Sequence, residues 1–167
     1  MTDNERNLIR KLIKGSISDD LFIRKISARY SCADEFLEEQ LKEASSAHNA
    51  SDINLLVYVC SKYRLYSEEC AAQLCQIMKQ KWHRKHSDIL HILGTCRYSM
   101  SIDCIYETAL SSFSYMDYAQ SHSIAVECVM ILGSMACDKS LEKLKMLSVC
   151  SDPLIRYHAL KQLSDQK

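Results

Sequence analysis

The sequence predicts an all-α protein of about five stacked helix hairpins in a single domain, residues 1–167. Three glycines and one proline are too few for the tight turns of a β-rich chain. Apolar residues recur every three or four positions through most of the chain, which is the period of an amphipathic helix. The pattern also returns after thirty-one residues, in Ile124, Cys128, Leu132 and again in Ile155, Ala159, Leu163. Such repetition predicts a stack in which each hairpin covers the apolar face of its neighbour.

Five helices are expected in the first half of the chain. Each begins at a polar residue that can cap the free N–H groups of a first turn, and Gly15 ends the first helix. Their expected starts are Asn4, Ser18, Ser31, Asp52 and Ser67. Polar residues over 44–51 predict a loop between the third and fourth helices. The fourth and fifth helices are expected to form an antiparallel pair.

Five more helices are expected after the polar, basic segment Lys79–His86. The first two start at Ser87 and Ser101, and polar residues over 111–123 predict a looser joint after them. The next two helices are expected at Ile124–Ala136 and Asp138–Cys150.

The last helix has the clearest start. Asp152 is a capping residue and Pro153 fits the first helical position, where the missing N–H has no cost. Arg156 is expected to bridge to an acid of the preceding hairpin. This helix is expected to close the stack as its terminal cap.

The nine cysteines are an odd number, and most of them occupy apolar helical positions, so we expect free thiols packed as small hydrophobes. No Cys-x-x-Cys pair is present, and neither Cys70 with Cys75 nor the histidines at 83, 86 and 91 have the second half of a zinc site. We therefore expect no metal and no cofactor. The acidic start does not resemble a signal peptide, and no segment is apolar for long enough to span a membrane, so a reducing cytoplasm is the expected location.

The C-terminal half contains a second repeated pattern. Asp152-Pro153 is followed by Ile155-Arg156, then by a small residue and a leucine at helical spacing. The stretch 124–133 follows the same pattern with alanine in the arginine position, and Ile-Leu-Gly at 92–94 returns at 131–133. These residues resemble HEAT repeats, while earlier parts of the chain match them only as helix pairs. The resemblance implies a short right-handed superhelix of helix hairpins that serves as a protein-binding surface.

Acidic side chains are concentrated on the helices expected to form the inner member of each hairpin, and basic ones on the outer members. The 21 Lys and Arg balance the 21 Asp and Glu, so the net charge is zero. The two signs of charge are nevertheless expected on different faces of the protein. The helix dipole accounts for acids in a first turn but not for those further along the third helix. The expected partner-binding residues are Asp34, Glu35, Glu38, Glu39, Glu43, Glu68, Glu69, Asp103, Glu107 and Trp82.

An acidic surface repels phosphate and attracts basic proteins. Small helical-repeat proteins with this distribution of charge resemble bacterial immunity proteins, which neutralise a toxin delivered by a neighbouring cell. We therefore expect a non-enzymatic protein-binding module, an immunity protein that binds a basic toxin domain such as a nuclease. A scaffold or assembly adaptor is the alternative.

The basic segment Lys79–His86 supports a third, less favoured function. Its cations could contact phosphates while Trp82 stacks on a base, as in HEAT-like DNA glycosylases. Those enzymes use several aromatic residues on a strongly basic face, whereas this chain is neutral and has one tryptophan. A solvated loop with Trp82 folded back is the simpler interpretation. The sequence contains neither a Gly-x-Ser-x-Gly elbow nor a phosphate-binding glycine loop, so no motif in it indicates an enzyme.

Overall fold

The computed structural model describes residues 1–165, and these residues form ten α-helices, one 3₁₀ turn (Ser99–Ser101) and no strand. The all-α prediction is confirmed. In chain order the helices are α1 (Asp3–Ile13), α2 (Asp19–Ser27), α3 (Ala33–Ser46), α4 (Ala50–Tyr63), α5 (Glu68–Met78), α6 (His86–Cys96), α7 (Ile102–Ala109), α8 (Tyr118–Met135), α9 (Asp138–Leu147) and α10 (Pro153–Ser164). Within the described range, no helix combines the length and the apolar character needed to cross a membrane.

The helices group into two compact units, which we call unit 1 (residues 1–92) and unit 2 (residues 93–167). The division falls within α6. The single domain over residues 1–167 stays a prediction.

Polar caps set the starts of α2 and α5. The hydroxyl of Ser18 accepts a hydrogen bond from the N–H of Leu21 at 3.3 Å, and that of Ser67 accepts one from the N–H of Cys70 at 3.1 Å. Each cap satisfies one of the N–H groups that a first helical turn leaves free. Both starts agree with the sequence prediction.

The loop predicted over 44–51 is wrong in its length, since only residues 47–49 connect α3 to α4. Ala44 is buried, so the last turn of α3 belongs to the core. The side chain of Asn49 accepts a hydrogen bond from the N–H of Asp52 at 3.1 Å, and this cap starts α4 earlier than predicted.

Helix α3 is the centre of unit 1. It packs against both α4 and α5, while α1 packs against α2 and α4. The ring of Phe36 is fully buried and meets the ring of Tyr30 edge to face, with centroids 5.1 Å apart. Helices α4 and α5 approach each other at Cys60 and Cys70, whose Sγ atoms are 3.8 Å apart, but each packs mainly against α3, so their antiparallel pairing stays a prediction. All nine cysteines lie within the described range and carry free thiols.

Helix α8 is the centre of unit 2, where it packs against α7, α9 and α10. The repeated apolar positions lie where these helices pack together. Five of the six are buried: Ile124, Cys128, Leu132, Ile155 and Ala159. The repeated spacing therefore does identify the buried faces of α8 and α10.

The glycines of the repeated Ile-Leu-Gly motif lie at close helix contacts within unit 2. A Cβ atom on Gly94 would lie 2.6 Å from Cδ1 of Ile131, and one on Gly133 would overlap the side chain of Gln162. Because real carbon atoms do not approach this closely, the motif marks positions where a side chain of the neighbouring helix occupies the space of a Cβ.

Two boundaries in unit 2 differ from the prediction. Helix α8 begins inside the predicted joint 111–123, because Asp117 and Gln120 form a capping box in which backbone nitrogen and side-chain oxygen are 2.8 and 3.2 Å apart. Helix α9 ends at Leu147 instead of Cys150.

The cap of α10 is confirmed. Oδ1 of Asp152 accepts hydrogen bonds from the N–H groups of Leu154 at 2.9 Å and Ile155 at 3.1 Å. The expected bridge from Arg156 to an acid is wrong, since its guanidinium donates to the carbonyl oxygen of Cys150 at 3.0 Å. The carboxylate of Asp152 is already engaged by the first turn of α10.

Candidate partner-binding surfaces

The five predicted acids of α3 lie on two adjoining faces. Glu35, Glu39 and Glu43 follow one another at intervals of four residues and are exposed, so they form one stripe along the helix. Asp34 and Glu38 lie beside this stripe and are half-buried. The prediction that α3 carries a concentration of acidic side chains therefore corresponds to a real surface of unit 1.

Three of these acids have a structural partner in unit 1. Glu35 accepts a hydrogen bond from the backbone N–H four residues before it at 2.6 Å, which lowers the pKa of its carboxyl. Glu38 accepts one from the hydroxyl of Ser67 at 2.7 Å. Glu43 lies 2.8 Å from the N-terminal ammonium of Met1. These carboxylates help to hold the fold together and have less freedom to meet a partner.

Glu39, Glu68 and Glu69 are exposed and make no ion pair or hydrogen bond with the described residues. The contact of Glu38 with Ser67 places the first turn of α5 next to α3, so Glu68 and Glu69 extend the charge of the stripe. We call this combined region the acidic surface. Its members are Asp34, Glu35, Glu38, Glu39, Glu43, Glu68 and Glu69.

The other two predicted acids, Asp103 and Glu107, lie on α7 in unit 2. The carboxylate of Asp103 is 2.6 Å from Nζ of Lys139 and 2.9 Å from Nζ of Lys143. Hydrogen bonds from Lys139 and then Lys143 lower the pKa of Asp103. Its negative charge is therefore balanced within unit 2. Glu107 is exposed.

The basic segment Lys79–His86 connects α5 to α6 and exposes residues 79, 80, 81 and 84, as the sequence suggests for a solvated loop, but it buries both of its histidines. His83 and His86 are buried, and their rings stack with centroids 4.2 Å apart. Their Nε2 atoms lie 2.7 and 2.8 Å from the carbonyl oxygens of Ile77 and Gln80. Burial lowers the pKa of both rings, that of His86 to about 4, so neither adds positive charge near neutral pH.

Trp82 is half-buried between other rings of the same unit. Its ring centroid lies 5.3 Å from that of His48 and 5.2 Å from that of His83. Its Nε1 atom is buried and has no hydrogen-bond partner within residues 1–165. The indole is therefore folded back on the protein, and its packing gives little support to base stacking.

A buried ion pair between α1 and α4 is not anticipated by the sequence. The Asp52 carboxylate accepts hydrogen bonds from Nε and Nη2 of Arg6 at 2.7 and 2.9 Å, although its side chain is only 2% exposed. Arg6 also donates to the exposed Asp3 at 2.9 Å. The pair joins two helices that are far apart in sequence, so no local pattern could reveal it.

His122 of α8 has acceptors at both ring nitrogens. Nδ1 lies 2.8 Å from the carbonyl oxygen of Tyr118, and Nε2 lies 3.0 Å from Oδ2 of Asp152. Both nitrogens must donate to satisfy these contacts, so the geometry favours the doubly protonated, positive ring. The carbonyl of Tyr118 and then the carboxylate of Asp152 raise the pKa of His122.

Stability should depend on pH through this contact. Because the folded pKa of His122 is raised, its contribution is fully present below the unfolded value of about 6.5 and is lost as pH rises through the folded pKa. Thermal unfolding measured from pH 5 to 8 should show this decline for the wild type and not for His122→Gln. Parallel profiles for the two proteins would contradict the proposed charge state.

A cleft of about 420 Å³ lies beside His122, lined by the residues around Ser121, Cys150 and Ser151. It lacks the geometry of a nucleophilic triad, because the ring nitrogen that would accept a proton from a nucleophile faces the carbonyl of Tyr118. Within residues 1–165, no group of three or more His, Cys, Asp or Glu side chains is placed to hold a metal ion.

The outer face of α10 differs from that of a terminal cap, which is polar in helical-repeat proteins. Leu154, Tyr157 and Leu160 follow one another at intervals of three residues and are 39, 61 and 54% exposed. Val149, just before α10, is 80% exposed. The sequence prediction followed the buried face of α10 and missed this apolar outer face.

Comparison of the chain with protein-family models, with curated proteins and with solved structures found no match.

Proposed function

We propose that this chain is a non-enzymatic protein-binding module whose acidic surface docks a basic protein. The observation that carries the proposal is the exposure of Glu39, Glu68 and Glu69 without an ion-pair partner among the described residues. Glu39 lies in the second turn of α3, where the helix dipole has little effect, so capping does not account for it.

A basic toxin domain is the partner class that fits this surface, and an immunity protein is the biological role that we propose. Nuclease domains bind phosphates through clustered Lys and Arg, and an acidic surface is complementary to such a cluster. Charge complementarity speeds the encounter of two proteins and rejects partners of like charge.

We also propose that the helices form HEAT-like hairpins of a right-handed solenoid. Two features of unit 2 support this arrangement: α8 and α9 pack against each other, and both α7 and α10 pack against this pair. Hairpin stacks bury each pair between its neighbours in this way.

Charge reversal tests the proposed acidic interface. The partner is captured from native cells with the wild-type chain, identified by mass spectrometry and purified for titration. The triple change Glu39→Lys, Glu68→Lys, Glu69→Lys should weaken its binding by about tenfold or more, with a smaller loss at high salt, because long-range attraction is screened there. These three side chains make no ion pair or hydrogen bond with residues 1–165, so the fold should be retained.

A matched control changes the net charge equally at other exposed acids: Asp20→Lys, Glu142→Lys, Asp165→Lys. This variant should bind within about twofold of the wild type, since none of its three positions belongs to the acidic surface. Equal losses in both variants would show that overall charge, and not the acidic surface, determines binding.

A scaffold or assembly adaptor is the second candidate, and the apolar outer face of α10 favours it. Exposed apolar patches on soluble proteins often mark interaction sites. The same captured partner separates the two functions. Binding that survives the acidic triple change but is lost in Leu154→Ser, Tyr157→Ser, Leu160→Ser would assign the interface to α10.

A further inference from the structure

A cleft of about 650 Å³ in unit 1 is lined by residues of α1, α2 and the segments next to them. This volume lies within the range of small-molecule sites in proteins. None of the residues of the acidic surface lines it. Thr2, Glu5 and Arg29 also line a neighbouring cleft that includes Glu39 and Glu43, so the cleft adjoins the acidic surface without sharing any of its acids.

The lining of this cleft is positively charged. Its cations are Lys11, Lys25 and Arg29, against the single carboxylate of Glu5. Glu5 is already satisfied, because its carboxylate accepts hydrogen bonds from the backbone N–H of Thr2 at 2.7 Å and from Arg29 at 3.0 Å. The remaining lining carries an excess of two positive charges.

These cations are available to a ligand. Lys11 and Lys25 are exposed and have no ion pair or hydrogen bond with the described residues. Arg29 donates one N–H to Glu5, and its side chain is 59% exposed, so its other N–H groups can still donate to a ligand. Lysine and arginine together are the groups that proteins use to bind phosphate.

The cleft also offers contacts to an uncharged part of a ligand. Leu8 and Ile17 line it and are half-buried, and Ile26 lines it and is buried. The amides of Asn4 and Asn7 line the same cleft and make no hydrogen bond within residues 1–165. Apolar walls with a few polar groups that fix orientation are typical of ligand sites.

We propose that this cleft binds a small phosphate monoester with an apolar or aromatic body. A phosphate dianion matches the two excess positive charges, whereas a single carboxylate would leave one unbalanced. The apolar side chains take up the body of the ligand, and the two asparagine amides orient its polar atoms. The site contains none of the acids of the acidic surface, and the proposal does not require the proposed protein partner.

Calorimetric titration with 1-naphthyl phosphate tests the site on the whole chain. The wild type should bind it with a Kd below about 1 mM. Inorganic phosphate, which lacks the aromatic body, and 1-naphthol, which lacks the charge, should each bind about tenfold more weakly or worse. Adenosine monophosphate and vesicles of phosphatidic acid are titrated in parallel. Stronger binding of adenosine monophosphate indicates a soluble ligand, and stronger binding of the vesicles indicates a lipid phosphate.

Two double variants in the same part of unit 1 decide whether the cleft is responsible. Lys11→Gln with Lys25→Gln removes the unpaired cations of the cleft and should weaken 1-naphthyl phosphate binding by about tenfold or more. Lys14→Gln with Arg24→Gln removes the same charge outside the cleft and should leave the Kd within about twofold. Equal losses in both variants, or no binding of 1-naphthyl phosphate by the wild type at millimolar concentration, would overturn the proposal.

Discussion

Replacing Phe36 with alanine is expected to reduce the free energy of unfolding of unit 1 by about 3–5 kcal/mol. The Phe36 side chain is fully buried on α3, and its ring contacts that of Tyr30. Truncation loses the transfer free energy of the ring, opens a cavity in a closely packed core and removes the aromatic contact. Urea unfolding monitored by circular dichroism measures the loss.

The matched control is Phe36→Leu, which keeps most of the volume and should cost about 1.5 kcal/mol or less. The comparison bears on function because α3 also carries most of the acidic surface. A loss below about 1 kcal/mol in Phe36→Ala would mean that the site collapses to fill the cavity, and that α3 is held less firmly than its burial indicates.

Replacing Asp52 with asparagine is expected to cost about 3 kcal/mol, the lower end of the range for breaking a buried ion pair. Two hydrogen bonds from Arg6 reach this carboxylate, and the asparagine amide cannot accept both in the same geometry. The cost stays at the lower end because Arg6 is partly exposed and keeps its contact with Asp3.

The control for Asp52 is Asp3→Asn, which removes the other partner of Arg6. Asp3 is 95% exposed, so this change should cost about 0.5 kcal/mol or less.

The pH dependence of stability gives a second check on the pair of Asp52 and Arg6. Burial acts to raise the pKa of Asp52, but the hydrogen bonds and charge of Arg6 outweigh it and lower the pKa. The contribution of the pair should therefore be present above the unfolded pKa of about 3.9 and be lost as pH falls through the folded value. If the free energy of unfolding of the wild type did not change as pH falls below about 3.9, the stabilising role of the ion pair would be contradicted.

Helix starts could be predicted because the signals for them are local. Ser18, Ser67 and Asp152 each cap a helix whose first N–H groups lie two or three residues further along the chain. The capping box of Asp117 and Gln120 is equally local and was available in the sequence, but the polar composition of 111–123 concealed it. The predicted joint is therefore too long.

The partners of charged residues could not be predicted, because they are distant in sequence. Glu38 contacts Ser67 and Asp103 contacts Lys139, in each case across a stretch of chain that only the fold brings together. From the sequence alone, Asp103 and Glu39 are both expected to bind the protein partner. In the structure the first is neutralised by two lysines, and the second is exposed with no partner among residues 1–165.

The apolar outer face of α10 was missed for a related reason. The sequence pattern identifies Ile155 and Ala159 as buried, and this is correct. Leu154, Tyr157 and Leu160 occupy the opposite side of the same helix, so α10 is apolar on more than one face. Periodicity alone cannot tell which of two apolar faces is covered, because that depends on the neighbouring helices.

The position of Trp82 also gives the chain a built-in spectroscopic reporter. Trp82 is the only tryptophan, and its ring is half-buried against His48 and His83 of unit 1. Its fluorescence therefore monitors the surroundings of this one unit, while the backbone signal of the helices monitors both. Agreement or separation of the two signals during unfolding would reveal whether the two halves of the chain melt together.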